Sequence, residues 1–168
     1  TQIARCEGKE KKAYEVVSGL NNDGKIRTLT IRRDMERLED YFIDDLLRNN
    51  SLVELQKMLE KNPSDYLINA AIGRYHLTSD SDVKSAVEAY REILKNPKSP
   101  QFYRRQFGFV LAKNPDYQEN AYQLLKKIYI NVPAIFRQKD VIELSNIEKH
   151  LNIPSNDRVT KIDRYTKD

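Results

Sequence analysis

The chain has 168 residues, of which 39% are hydrophobic and 32% charged, with only five Gly and six Pro. This composition favours long helices over a protein of strands and turns, and no apolar run approaches the length of a membrane span. A net charge of +4, from 29 basic and 25 acidic residues, is not the surplus typical of a nucleic-acid binder.

The first 29 residues are open to two interpretations. Ala13–Leu20 would form a short helix, or Ala13–Ser18 and Lys25–Arg32 would flank a hairpin turn at Asn22-Asp23-Gly24. We favour the helix, because an isolated hairpin is marginally stable and the rest of the chain is helical in pattern.

The cellular compartment of the protein can be judged from its single cysteine, Cys6, which cannot form an internal disulfide. That fits a reducing compartment such as the cytoplasm, or any place where disulfides are unnecessary. Because the chain begins at Thr1, we expect a fragment or processed product from which a signal or anchor could have been removed.

The centre of the chain contains an internal repeat of 35 residues, in which Ser64–Pro97 aligns with Ser99–Pro133. A third, degenerate copy begins near Thr30, with Leu38 in the place of a Gly and Ser51 in the place of an Ala. Two good copies at one interval predict a helical repeat array. The matched pairs are Leu67 and Phe102, Gly73 and Gly108, Ala86 and Ala121, Tyr90 and Leu125, and Ile93 and Ile128.

Each copy contains two apolar stripes at helical spacing, so each predicts two helices. Asn-Pro pairs should end helices, because the residue before Pro avoids the α region. The run from Ser79 to Asp82 should supply an N-cap to the second helix, and Ser64 and Ser99 should cap the first helices. The small residues at the Gly and Ala positions should let paired helices approach closely. The Asn-Pro pairs are Asn62-Pro63, Asn96-Pro97 and Asn114-Pro115.

Beyond Pro133 we predict one further helix, from about Gln138 to Leu151, that caps the last pair. The remainder, 152–168, is polar and is expected to be a frayed tail. The chain therefore divides into 1–29, a repeat domain with its capping helix over 30–151, and the tail.

The spacing of Ile72-Gly73, Ala86, Tyr90 and Pro97 resembles the tetratricopeptide repeat. The resemblance covers about residues 30–133, and the turn within each pair is one residue longer than usual. It implies an all-α fold: a short α-solenoid of antiparallel helix pairs, with two clear repeats, one degenerate repeat and the capping helix.

Nothing in the sequence suggests an enzyme, a metal site or a cofactor. His76 lies at a packing position, where a satisfied core histidine is the ordinary interpretation, and His150 lies near a helix C-terminus. There is no paired cysteine, zinc motif or glycine-rich phosphate loop. The acid pairs Glu39-Asp40 and Asp44-Asp45 are interpreted as a solvated helical face.

In tetratricopeptide arrays the first helix of each pair lines a concave groove, and the resemblance transfers those positions to this chain. Such a groove suits a peptide with apolar residues and some acids, since Arg pairs with carboxylates. The alternative interpretation is that Arg74 and Arg105 are ordinary solvated residues that bind no partner. The transferred positions are Leu67, Ala70, Arg74, Leu77, Phe102, Arg105, Phe109, Ala112, Lys113, Met35, Glu39 and Phe42.

We therefore expect a protein-interaction scaffold or adaptor that belongs to a larger assembly or secretion complex. The charges are uneven: Asp34–Lys61 carries eight acids and four bases, and Gln101–Ile128 carries five bases and two acids, which hints at a charged partner. One alternative is a dedicated chaperone of a secreted protein. The other is an RNA-binding helical repeat, based on Tyr103-Arg104-Arg105 and Lys126-Lys127.

Overall fold

A computed structural model describes the backbone of residues 29–161 and the side chains of residues 34–161. All regular structure in that range is helical, which confirms the all-α class. None of these helices combines the length and the apolar character needed to cross a membrane. The helix-or-hairpin question at the N-terminus and the last seven residues, 162–168, lie outside the described residues.

Seven α-helices and two short 3-10 turns make up the described chain. In order they are α1 (Leu29–Asn49), α2 (Leu52–Lys61), α3 (Tyr66–Thr78), α4 (Val83–Lys95), α5 (Phe102–Ala112), a 3-10 turn (Pro115–Tyr117), α6 (Gln118–Asn131), a second 3-10 turn (Pro133–Ile135) and α7 (Gln138–His150). From α2 to α7, each helix packs against the next one along the chain.

The predicted helix ends are confirmed at the Asn-Pro pairs. Asn62 and Asn96 are the C-caps of α2 and α4, and α5 ends two residues before Asn114. At the start of α4, Asp82 accepts a hydrogen bond from the backbone N–H of Ser85 at 3.0 Å. The sequence therefore located the boundaries of the repeated helices well, because Pro and the short acidic side chain act locally.

The two predicted serine N-caps are wrong. Asp65, one residue after Ser64, caps α3 by accepting from the backbone N–H of Leu67 at 2.9 Å. Ser99 donates its hydroxyl to the carbonyl oxygen of Asn96, and α5 begins only at Phe102, where no side chain caps it. Both serines hydrogen-bond back into the preceding turn, an alternative that Ser adopts readily.

The repeated glycines hold the same contact in both copies. A Cβ on Gly73 would lie 2.8 Å from Cε2 of Tyr90, and a Cβ on Gly108 would lie 2.6 Å from Cδ2 of Leu125. These two contacts are offset by the same 35 residues as the sequence repeat. Close approach of α3 to α4 and of α5 to α6 therefore depends on the missing side chain, as the sequence predicted.

The first, degenerate copy does not form such a pair. Leu38 and Leu55 are its equivalents of Gly73 and Tyr90, yet α1 and α2 have hardly any contact with each other. The α1 helix runs on for 21 residues, through Leu46 and Leu47, where the other copies have their polar turn. It packs on α3 and on the second 3-10 turn instead.

The segment after α7 is anchored, so the prediction of a frayed tail is wrong for residues 152–161. The buried carboxylate of Glu148 accepts hydrogen bonds from the Tyr122 hydroxyl at 3.3 Å, the Val159 backbone N–H at 2.7 Å and the Thr160 hydroxyl at 2.5 Å. Because Glu148 has no exposed surface, these three donors are what compensate its burial. The helix predicted from about Gln138 to Leu151 is confirmed as α7, which packs on α6.

We predict that Gly108→Ala lowers the free energy of unfolding by about 1–3 kcal/mol through overpacking against Leu125. Helix propensity alone predicts the opposite, a gain of about 1 kcal/mol. Urea denaturation decides between them. In a Leu125→Ala background the added methyl group should cost nothing further; a stabilised Gly108→Ala chain would contradict the close contact.

Candidate functional site

A charged groove lies where α1, α3, α5 and the start of α7 meet. It encloses a cleft of about 400 Å³. Eight charged side chains line it, four basic and four acidic, together with Tyr90, Gln106, Phe109 and Val110. The charged residues are Arg74, Arg105, Arg137, Lys139, Asp40, Asp44, Asp140 and Glu143.

The acidic wall of the groove is one stripe of α1. Glu36, Asp40 and Asp44 are spaced four residues apart, so they lie on the same face of the helix. Beside them Ile43 belongs to the main apolar core, and Leu46 and Leu47 pack against that core. The α1 helix is thus amphipathic in an unusual sense, because both its apolar stripe and its acidic stripe face the rest of the protein.

Arg74 on α3 holds the outer half of that stripe. Its Nη2 lies 2.6 Å from Oδ1 of Asp40, and its Nη1 lies 2.9 Å from Oδ1 of Asp44. Burial lowers the pKa of the Arg74 guanidinium, but the two carboxylates outweigh it and raise the pKa above its usual value. Since these groups are partly exposed, each pair contributes on the order of 1 kcal/mol or less.

Glu36 holds the inner half of the groove together. Its Oε1 accepts hydrogen bonds from Nη2 of Arg105, from Nη2 of Arg137 and, at 3.2 Å, from Nε2 of Gln106. Arg105 is only 1% exposed, and its Nε lies 3.4 Å from Oδ2 of Asp140. A buried guanidinium requires carboxylates around it, so α1 is part of what makes this position of Arg105 possible.

The remaining Arg105 nitrogen, Nη1, donates to the carbonyl oxygen of Ile135 in the second 3-10 turn. Asp140 also accepts from the backbone N–H of Arg137 at 2.8 Å, which fixes the entry into α7. One network therefore joins α1, α5 and the start of α7, three parts of the chain that are far apart in sequence.

Tyrosines close the groove beneath α1. The Tyr66 hydroxyl donates to Oε1 of Glu39 at 2.9 Å, and Tyr103 lies beside the same carboxylate. Burial, followed by the Glu39 charge, raises the pKa of Tyr103 well above its usual value. Burial likewise raises the pKa of Tyr90 to about 12. The Tyr103 and Tyr90 phenols therefore stay protonated over the physiological range.

Most of the residues predicted to line a free groove are covered. Arg105, Phe109, Phe102, Ala70, Ala112, Met35 and Glu39 are buried; Leu67, Arg74, Leu77 and Phe42 are half-buried; and Lys113 alone among these is exposed. The groove brings Arg74, Arg105 and Phe109 together. The carboxylates of α1 pair with these two arginines, as the acids of a peptide partner were expected to do. Leu67 lies instead in a separate cleft of about 630 Å³ between the turns that follow α2 and α4.

Sequence reasoning missed Glu36, Arg137 and Asp140. Two signals could have found them. The acids of α1 recur every four residues, and Arg74, Arg105 and Arg137 follow one another after 31 and 32 residues. The acid pairs Glu39-Asp40 and Asp44-Asp45 were interpreted as a solvated face, which is wrong for Glu39, since its side chain is buried.

The other candidate chemistry finds little support in the described residues. Tyr103 and Arg105 are buried, so the stretch Tyr103-Arg104-Arg105 exposes only Arg104 for a nucleic acid. His76 is partly buried, with Nδ1 2.9 Å from Oδ2 of Asp80, as a satisfied histidine would be. Across residues 29–161 no three His, Cys, Asp or Glu side chains are arranged to hold a metal ion.

Comparison with known proteins adds no relative. No protein-family model, no curated protein and no solved structure matches this chain. The tetratricopeptide resemblance therefore stays a prediction from the repeat itself.

We predict that Glu36→Gln lowers the free energy of unfolding by about 3–5 kcal/mol, because it leaves the buried Arg105 and the partly exposed Arg137 beside one fewer charge. The matched control is Glu88→Gln, which removes an exposed carboxylate from Arg91 on α4. This control should change the free energy of unfolding by about 0.5 kcal/mol or less. Urea denaturation of both variants measures the difference. Equal effects would mean that the buried network is not formed.

We predict a stability loss in alkaline solution from the buried phenols. Burial raises the pKa of Tyr90 and, together with Glu148, that of Tyr122 to about 12, from the ordinary 10.0. The folded state binds these protons more tightly than the unfolded state, so the contribution is complete below pH 10 and lost as the pH rises towards 12. Tyrosinate absorbance against pH should show late-ionising groups, of which Tyr90→Phe and Tyr122→Phe each remove one.

Proposed function

We propose that this chain is a protein-interaction scaffold that binds a helix of its partner in the charged groove and performs no catalysis. One observation carries the proposal: Arg74, Arg105 and Arg137, from successive parts of the fold, converge on a single stripe of carboxylates along a helix. That is the arrangement expected of a surface built to receive an acidic amphipathic helix.

The proposal includes the repeat architecture. We take α3 with α4 and α5 with α6 as two antiparallel pairs of a short solenoid, with α7 as its cap. The equivalent contacts of Gly73 with Tyr90 and of Gly108 with Leu125 support this arrangement. Stacked pairs of this kind present their first helices side by side, which explains why Arg74 on α3 and Arg105 on α5 reach the same occupant.

The chemistry of the groove favours a protein helix over other ligands. Apolar residues of α1 pack beside its carboxylates, so the occupant needs both a hydrophobic and an acidic stripe. Arg forms directional pairs with carboxylates, and such pairs set orientation and register more than affinity. The partner we propose is therefore a protein segment that forms an acidic amphipathic helix, supplied by a larger assembly.

The test is binding of a synthetic peptide with the α1 sequence, Leu29–Asn49, labelled with a fluorophore. Asp40→Asn with Asp44→Asn loosens α1 in the full chain and leaves Arg74 without its carboxylates. This loosened chain should bind the peptide, with affinity that falls as salt is raised. Adding Arg74→Glu should weaken binding at least about tenfold, because it replaces attraction by repulsion.

The matched control is Arg91→Glu, a charge reversal on the exposed face of α4, which should leave the affinity unchanged. A second peptide, with amides in place of the Glu36, Asp40 and Asp44 carboxylates, should not bind. If Arg74→Glu and Arg91→Glu behaved alike, or if both peptides bound equally, the groove would not be the binding site.

A further inference from the structure

We infer that α1, which forms the acidic wall of the groove, is replaceable and is exchanged for a partner helix that carries carboxylates at positions i, i+4 and i+8 beside an apolar stripe. This inference rests on the proposed function and adds to it the partner's chemistry and the way in which access is controlled.

The attachment of α1 allows it to leave as a unit. Only Asn50 and Ser51 separate it from α2. Ser51 caps α2 through its own reciprocal pair with Glu54, whose carboxylate accepts from the Ser51 backbone N–H at 2.7 Å. Because α2 is capped independently and hardly touches α1, α2 keeps its N-terminus and its packing on α3 when α1 swings away.

The burial of Arg105 restricts which helix can replace α1. When α1 leaves, the guanidinium loses Glu36 and keeps only Asp140 and the Ile135 carbonyl. An empty groove is therefore strongly disfavoured, and so is an occupant without acids. An incoming helix must offer a carboxylate at the position of Glu36, and two more along the same stripe to meet Arg74.

The apolar half of the site sets the second requirement. Departure of α1 uncovers the part of the main apolar core that contains Ile43 and against which Leu46 and Leu47 pack. Only an occupant with large apolar side chains next to its acids covers that surface again. Charge complementarity and apolar burial together commit the site to an acidic amphipathic helix, and α1 acts as the competitor that such a helix must displace.

Displacement can be followed by electron–electron distance measurements on the full chain. Spin labels are placed at Arg37→Cys on α1 and at Lys84→Cys on α4, both exposed, with Cys6→Ser to remove the native thiol. The acidic α1 peptide should create a population with a longer distance, and the amide peptide should not. Adding Asp40→Asn and Asp44→Asn should lower the peptide concentration for half-conversion at least about tenfold.

The outcomes separate this inference from the proposed function. If the peptide binds the loosened chain but the distance between α1 and α4 stays the same at saturation, the exchange is overturned and the binding function stands. If no peptide binds even the loosened chain, the binding function itself fails. If the longer distance grows with chain concentration alone and sedimentation shows a dimer, the occupant is a second copy and the partner helix is overturned.

Discussion

The arrangement of this fold depends on the neutralisation of one buried cation. Arg105 lies almost without solvent contact between α1, α5 and the start of α7, and the carboxylates of Glu36 and Asp140 balance its buried charge. That requirement fixes α1 across the first helices of the two clear repeats. It also explains why the chain's most acidic helix is docked and not solvated.

The sequence predicted the two clear repeats well, since their signals are local: Pro after Asn, an acidic N-cap at Asp82, and glycines facing a large side chain one helix away. It failed where long-range contacts decide. Ser51 aligned with Ala86 as part of a third pair, but the apolar Leu46 and Leu47 continue α1 through the expected turn. The choice between a solvated and a docked acidic face depends on Arg105 and Arg137, which no local pattern around Glu36 reveals.

In the folded molecule the uneven distribution of charge along the chain has a different explanation. The acidic stretch Asp34–Lys61 and the basic stretch Gln101–Ile128 suggested an external charged partner, yet the structure pairs the two stretches with each other, at Glu36 and Arg105. Intramolecular pairing and partner recognition use the same chemistry, so a sequence cannot tell one from the other. Because α1 pairs with the arginines of the groove, its features indicate what an external helix would need in order to bind there.

The triple acceptor Glu148 has a consequence for how such a protein could be lengthened. It ties the segment around Val159 and Thr160 to α6 and α7, and thereby occupies the flank of the last repeated helix. Another helix could not pack there without displacing that segment, which would leave the buried Glu148 carboxylate with the Tyr122 hydroxyl alone of these three donors. Any helix added to this side of the described fold would therefore have to pack elsewhere, which makes Glu148 and its donors a fixed edge of the molecule.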